Sequence, residues 1–150
     1  MSDLILLDSG PLGLITHPRF AAVNQASNVW LAEQLQRGKR VLIPAIVDYE
    51  LRRELLRGGK LRGLANLNGL KKRLGCLPLT SSMLLHAAEL WAQARRLGKP
   101  TASDAALDVD VLLAAQAIWL QNKGHQVIVA TTNIKHLELF VDARHWSDIA

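Results

Sequence analysis

The chain of 150 residues has room for one domain, and its 49% hydrophobic residues can build a sizeable core, which excludes a disordered protein. Its formal net charge of +5 favours nucleic acid or another polyanion as a partner. Cys76 is the sole cysteine, which excludes an intramolecular disulfide framework and a cysteine-rich zinc module.

Three short, wholly apolar runs predict buried strands over residues 4–7, 41–43 and 127–130. Each run is too short for a helix and stops at a polar residue or a proline. A further short strand is expected near Cys76. Strands that are apolar on both faces are typical of a parallel sheet covered by helices.

Helical patterns fill the gaps between these runs, over residues 22–37, 45–57, 61–74, 81–97 and 109–122. A glycine follows each of the first four, as is typical of helix C-termini. The fifth is apolar almost all round, which predicts a buried helix. This order of elements predicts a three-layer α/β/α fold with a central parallel sheet, as a single domain over residues 1–150.

Polar residues stand where the predicted strands end, which is the edge at which open α/β sheets bind ligands. Asp8 directly follows the first strand, and Thr131, Thr132 and Asn133 follow the last. Asp8 has a second interpretation, as the cap of a helix that starts at Pro11.

Glu50 borders the buried face of the helix predicted over residues 45–57. At about 100° per residue it falls roughly 60° from Val47, which points inward. An ion pair with Arg53 at i,i+3 explains Glu50 equally well. For Glu54, one turn further on, the corresponding pair with Arg57 is the better explanation.

Three further aspartates precede or enter the buried helix. Asp108 and Asp110 stand at its entrance, where acidic residues suit the helix dipole. Residues two apart on a helix point about 200° apart, so only one of the two is expected to face the sheet edge. The residues alone leave open which one it is. Asp104 is best explained as a cap or loop residue.

Three or four carboxylates that meet at one sheet edge repel one another unless a cation neutralises them. Oxygen ligands without cysteine or a histidine pair at metal spacing favour Mg²⁺ or Mn²⁺ over zinc. The five histidines are scattered, and none is expected to be a metal ligand. A basic protein with an acidic metal pocket fits phosphodiester cleavage by a metal-activated water.

Four blocks of the sequence together resemble the PIN domain, and the closest group is the VapC-type toxins of prokaryotic toxin–antitoxin pairs. The blocks are Leu6-Leu7-Asp8-Ser9-Gly10-Pro11-Leu12, Pro44-x-x-Val47-x-x-Glu50, Asp110-x-Leu-Leu-Ala-Ala-Gln-Ala and Val129-Ala-Thr131-Thr-Asn133. They occur in the family's order and span residues 4 to about 137.

The resemblance implies a Mg²⁺- or Mn²⁺-dependent endoribonuclease that leaves a 5′-phosphate and a 3′-hydroxyl. It also implies RNA as the substrate, a small antitoxin as the partner that blocks the site, and a homodimer. By position it makes Asp8, Glu50 and Asp110 the catalytic metal ligands, and it selects Asp110 over Asp108.

Three other positions follow from the same resemblance. Ser9 and Thr131 match hydroxyl positions that support the acids or their waters. Asn133 stands where many relatives have a fourth aspartate. Its carbonyl oxygen can still meet a metal or a metal-bound water, but it brings no charge, which leaves open whether one or two metal ions bind.

Single residues decide between two alternative functions: Asn133 supports the first, and Gly10 argues against the second. Asn133 favours a non-catalytic PIN-like module that binds RNA or protein. A phosphatase of the haloacid dehalogenase type needs an aspartate two residues after the nucleophile, where this chain has Gly10.

No apolar run approaches the roughly 18–20 residues of a membrane span and no basic leader is visible, so a soluble, cytoplasmic protein is expected.

Overall fold

The structure, a computed structural model, describes residues 3–98 and 103–150, apart from the side chain of Asp104. In chain order its elements are β1 (Asp3–Leu7), α1 (Ser9–Thr16), α2 (Ala22–Gln36), β2 (Arg40–Pro44), α3 (Ala45–Arg57), α4 (Leu61–Leu74), β3 (Cys76–Leu77), α5 (Ser81–Arg96), α6 (Asp104–Asn122), β4 (Gln126–Thr131) and β5 (Ala143–His145). Single 3-10 turns cover Leu137–Leu139 and Trp146–Asp148.

The strands of the described chain form one five-stranded sheet in the order β3-β2-β1-β4-β5. Every pairing in it is parallel, which confirms the predicted α/β/α fold with a parallel sheet. The central strand β1 pairs with β2 through Ile5 and Val41, and with β4 through Leu7 and Ala130. The carboxyl ends of all these strands therefore meet at one edge of the sheet.

After the exposed Asp3, the strand β1 is wholly apolar because helices cover both faces of the sheet. Its residues Leu6 and Leu7 are fully buried. The helix α6 is buried as predicted, with Leu113 and Ala117 without exposed surface. Gln116 of the same helix is also fully buried, and its Nε2 donates to the carbonyl of Leu77 at 2.9 Å. This bond fixes α6 against the chain that leaves β3.

Three elements differ from the sequence-based expectation. The helix α1 was predicted only as an alternative, with its start at Pro11, and it begins two residues earlier, at Ser9. Proline is tolerated at Pro11 because the first helical N–H groups have no partner within the helix. The helix α6 begins at Asp104, five residues before the predicted start at 109. The strand β5 has only three residues and exists through its pairing with β4.

Among the helices described, none is long and apolar enough to cross a membrane.

Candidate active site

A cavity of about 310 Å³ opens at the carboxyl edge of the sheet. It is lined by residues from the ends of β1 and β4, from α1, α3 and α6, and from the loop after β4: Asp8, Ser9, Gly10, Glu50, Ala106, Val109, Asp110, Thr131, Thr132, Asn133 and His136. All six residues that the sequence predicted for the site lie in this lining. The roles assigned to them stay predictions.

Asp8 both caps α1 and forms part of the cavity wall. Its Oδ1 accepts a 2.8 Å hydrogen bond from the backbone N–H of Ser9, and its Oδ2 accepts one of 2.8 Å from the Thr131 hydroxyl. Burial raises the pKa of the Asp8 carboxyl, while these two hydrogen bonds lower it. The cap interpretation of Asp8 is therefore correct, and it is compatible with a place in the site.

Glu50 reaches the cavity because α3 starts at Ala45, directly after β2 ends at the same sheet edge. The side chain is half-buried, as the helical wheel predicts. Burial raises the pKa of Glu50, a hydrogen bond from the Ser9 side chain lowers it, and the negative charge of Asp8 raises it further. The two carboxylates are therefore close enough to interact.

Asp110 is the third carboxylate of the cavity. Burial, followed by the charges of Asp8 and Glu50, raises its pKa from 3.8 to about 7. Asp108 is exposed and lies instead in a groove beside Trp91 of α5. The two aspartates thus face different sides of α6, and only Asp110 faces the sheet edge.

The loop after β4 supplies neutral oxygens to the same cavity. The backbone N–H of Asn133 donates to the Thr131 hydroxyl at 3.0 Å, and Asn133 Oδ1 accepts from the backbone N–H of Lys135 at 3.3 Å. Thr132 packs against Gly10 so closely that a Cβ at Gly10 would overlap its side chain. This contact excludes an aspartate at Gly10, and with it the haloacid dehalogenase arrangement.

The donor set fits a hard divalent cation. In the part of the chain that the structure describes, no three His, Cys, Asp or Glu side chains form a ready-made metal cage. Three carboxylates nevertheless line one cavity. Burial, followed by the charges of Asp8 and Glu50, raises the pKa of Asp110, and a cation between the three would relieve their repulsion. Carboxylate and amide oxygens suit Mg²⁺ or Mn²⁺, which keep much of their shell as water or substrate oxygen.

Sequence reasoning missed His136. Its half-buried side chain lines the cavity and makes no hydrogen bond or ion pair with any residue in the described ranges. The one signal in the sequence is its position three residues after Asn133, on the loop that follows β4. Its place in the cavity depends on the path of that loop, which the spacing alone does not give.

The acids Glu54 and Asp48 on α3 have structural partners. Glu54 is exposed and pairs with Arg57, as predicted. Asp48 is buried and pairs with Arg52 of α3 at 2.9 Å and with Lys71 of α4 at 3.5 Å. Burial raises the pKa of Asp48, but the hydrogen bonds and charges of Arg52 and Lys71 outweigh it and hold the pKa below 3.8. Asp48 thus joins α3 to α4.

Arg53 gives the rim of the cavity a positive group. Its charge lowers the pKa of Glu50, so the two side chains are near neighbours. Its guanidinium lies 5.3 Å from the ring centroid of Tyr49, a residue that is 58% exposed. Neither residue lines the cavity itself, and together they place an aromatic ring and a cation on the surface next to Glu50.

The fold is that of solved VapC toxins. A chain of VapBC2 from Rickettsia felis, solved bound to a promoter DNA fragment, matches with a TM-score of 0.71 at 17% identity over 95% of this chain and 98% of that one. VapBC-1 from nontypeable Haemophilus influenzae matches with a TM-score of 0.66 at 16% identity over 97% and 99%. VapC20 from Mycobacterium tuberculosis, a toxin that cleaves the sarcin–ricin loop, matches with a TM-score of 0.60 at 17% identity over 92% and 97%.

No protein-family model and no curated protein sequence matches this chain. The likeness to the solved structures covers nearly the full length of both chains, and it establishes a PIN-like three-layer α/β/α fold.

Proposed function

We propose that the protein is a Mg²⁺- or Mn²⁺-dependent endoribonuclease and the toxin of a type II toxin–antitoxin pair, acting in the cytoplasm. The observation that carries this proposal is the meeting of Asp8, Glu50 and Asp110 in one cavity at the carboxyl edge of the sheet. Such a set of mutually repelling carboxylates is costly to a fold and is typical of a metal site. The fold shared with VapC toxins supports the same conclusion.

In this proposal Asp8, Glu50 and Asp110 hold the cation, and Asn133 contributes a neutral oxygen to it or to its water. A bound Mg²⁺ or Mn²⁺ supplies a positive charge that activates water and stabilises the charge that builds on the phosphate. Thr131 orients the carboxylate of Asp8 through its hydroxyl. Ser9 does the same for Glu50.

RNA is the proposed substrate, cut to a 5′-phosphate and a 3′-hydroxyl. The net charge of +5 supports a polyanion, and VapC20, with the same fold, is a toxin that cleaves the sarcin–ricin loop. At the rim, Arg53 would contact a phosphate and Tyr49 would stack on a base beside the cleaved bond. A small antitoxin partner is supported by the VapBC complexes among the solved structures. We extend this to a homodimer by the same likeness.

The proposal is tested by incubating purified protein, free of any co-purifying partner, with a mixed RNA pool that includes transfer RNA. Parallel reactions contain Mg²⁺, Mn²⁺ or EDTA. Asp8→Ala is the site variant, and Asp108→Ala is its matched control, because Asp108 is exposed and outside the cavity lining. We expect cleavage that needs metal, disappears in Asp8→Ala and persists in Asp108→Ala.

A second candidate, a non-catalytic module that binds RNA or a protein, is favoured by Asn133 alone, because this residue brings no negative charge to the cavity. In that case no cleavage occurs under any condition while RNA or a protein partner still binds. Cleavage that persists in Asp8→Ala would instead point to a contaminating nuclease or to a different site.

A further inference from the structure

The proposed cleavage requires a proton donor, and the three carboxylates are poorly suited to that role. When the bond between phosphorus and the 3′ oxygen breaks, the leaving oxygen must gain a proton to become the 3′-hydroxyl. Carboxylates that hold a cation are ionised, and an ionised carboxylate is an acceptor only. A different group in the cavity is needed for this step, an argument that rests on the proposed function.

The hydroxyls in the cavity lining are already committed. Those of Thr131 and Ser9 donate to Asp8 and Glu50, respectively. The side chain of Thr132 is packed against Gly10. Hydroxyls of this kind also hold their protons too tightly to give them up near neutral pH.

His136 is the remaining candidate in the lining. No lysine or arginine among the described residues lines this cavity. Imidazole gains and releases a proton near neutral pH, which is why histidine is the commonest general acid of enzymes. The side chain of His136 is half-buried and makes no hydrogen bond with the rest of the described structure, so its ring nitrogens are free for a substrate.

The backbone around His136 is held in place. The adjacent Leu137 is 1% exposed and anchors the loop in the core. The backbone N–H of Glu138 donates to the carbonyl of Ile134 at 3.0 Å, which closes a turn around His136. A general acid must be presented in a fixed geometry, and this turn supplies such a support.

We propose that His136 is the general acid of the reaction and protonates the 3′ oxygen of the leaving RNA strand. The oxygen of a water forms a bond to phosphorus, and the bond from phosphorus to the 3′ oxygen breaks with its electron pair passing to that oxygen. A ring nitrogen of His136 gives its proton to the 3′ oxygen and regains one from solvent. The proton released by the attacking water also passes to solvent, so one water is consumed for each bond cut.

The test replaces the leaving oxygen by sulfur. A defined RNA that the wild-type protein cuts is prepared with the ordinary linkage and with a bridging 3′ sulfur at the same bond. A thiolate leaves without prior protonation, so this substrate does not need a general acid. Single-turnover rates with Mn²⁺ are compared for the wild type, His136→Ala, His136→Gln and the control His86→Ala, which lies on α5 outside the cavity lining.

We expect both His136 variants to cut the oxygen linkage about 100-fold or more slowly, and the sulfur linkage at a rate close to that of the wild type. Gln preserves hydrogen bonding without an acidic proton, so it separates proton transfer from simple contact. Affinity for the RNA in EDTA, measured by fluorescence anisotropy, should be unchanged in His136→Gln. Thermal melting should be the same for all four proteins.

An equal loss on both linkages, or a loss of RNA affinity that matches the loss of rate, would assign His136 to binding and overturn the proposal. Unchanged cleavage of the oxygen linkage in both variants would overturn it as well. A wild-type protein that cuts neither substrate would instead remove the proposed nuclease activity, and this result is distinct from every failure of His136 alone.

Discussion

Thr131 Oγ1 donates a 2.8 Å hydrogen bond to Asp8 Oδ2, although the two residues are 123 residues apart in the chain. This bond joins the end of β4 to the end of β1. The same hydroxyl accepts a 3.0 Å hydrogen bond from the backbone N–H of Asn133. The two strands end at the same level because Leu7 pairs with Ala130. One threonine therefore orients both a carboxylate and the loop that carries Asn133.

Thr131→Val keeps the shape of the side chain and removes the hydroxyl. The ionised carboxylate of Asp8 then lacks the hydrogen bond from Thr131. The pKa of Asp8 therefore rises, and Asp8 becomes a poorer metal ligand. We expect a loss of about 10- to 100-fold in metal affinity or cleavage rate, as is usual for groups that orient a metal ligand. Titration of activity with Mn²⁺ measures this loss. Thr131→Ser should restore most of it, and a Thr131→Val protein with the wild-type Mn²⁺ requirement would contradict the role.

Asp110→Asn should stabilise the metal-free protein in a pH-dependent way. The pKa of Asp110 is about 7 in the folded protein and close to 3.8 in the unfolded chain, so the folded state binds the proton more tightly. The wild type therefore loses stability as the pH rises from about 4 to above 7, and the asparagine variant does not share this loss. Below pH 4 the two proteins should be equally stable.

Urea unfolding in EDTA at pH 4 and pH 8 measures this difference. Asp108→Asn is the matched control, because it removes an exposed carboxylate two residues away on the same helix. Its stability relative to the wild type should be the same at both pH values. A variant Asp110→Asn that is less stable than the wild type at pH 8 would contradict the raised pKa of Asp110 that burial and the two neighbouring carboxylates produce.

Asn133→Asp should strengthen cation binding and weaken the metal-free fold. The new carboxylate would join three others in the cavity, so repulsion grows without metal and attraction grows with it. Mn²⁺ at ten times its dissociation constant stabilises a protein by about 1.4 kcal/mol. In thermal melting experiments, the variant should reach this stabilisation at a lower Mn²⁺ concentration than the wild type. The opposite order would exclude this position from the cation site.

Asp48→Ala tests a carboxylate of structural rather than catalytic character. The substitution removes the hydrogen bonds to Arg52 and the contact with Lys71 that join α3 to α4. We expect a loss of about 1–2 kcal/mol in the free energy of unfolding at pH 7, because the partly exposed Arg52 and Lys71 lose a buried acceptor. Glu54→Ala, which removes an exposed ion pair on the same helix, should cost less than about 1 kcal/mol.

The stabilising effect of Asp48 should also fade in acid. The pKa of Asp48 is held below 3.8 in the folded protein, so the folded state binds this proton more weakly than the unfolded chain. The stability that it contributes is complete above pH 5 and falls as the pH drops below the unfolded value. The difference between the wild type and Asp48→Ala should therefore be smaller at pH 3 than at pH 7.

The sequence predicted the sheet and most helices because their patterns are local. The apolar runs of β1, β2 and β4 and the glycines after α2, α3, α4 and α5 are visible without tertiary structure. The helix α1 was only an alternative in the sequence because Ser-Gly-Pro-Leu-Gly has low helix propensity, which its cap by Asp8 and its packing overcome. The strand β5 has no apolar pattern of its own and depends on β4.

The candidate site was predictable to the extent that its residues follow strand ends. Asp8, Thr131 and Asn133 lie where the strand boundaries put them. The choice between Asp108 and Asp110 needed either the resemblance or the packing of α6, because spacing alone shows only that they diverge. The position of His136 in the cavity depends on the path of an irregular loop, and no periodic sequence pattern predicts that path.

The central position of β1 in the sheet has a consequence for the order in which the molecule assembles during synthesis. Asp8 is made 123 residues before Thr131, the residue of β4 that lies beside it in the folded protein. Pairing between such distant segments is slow to form, since a long loop must close first. A nascent chain that stops before β4 contains all three carboxylates yet lacks the wall that brings them into one cavity. We therefore expect a fragment that ends before β4 to be inactive, although it carries all three carboxylates.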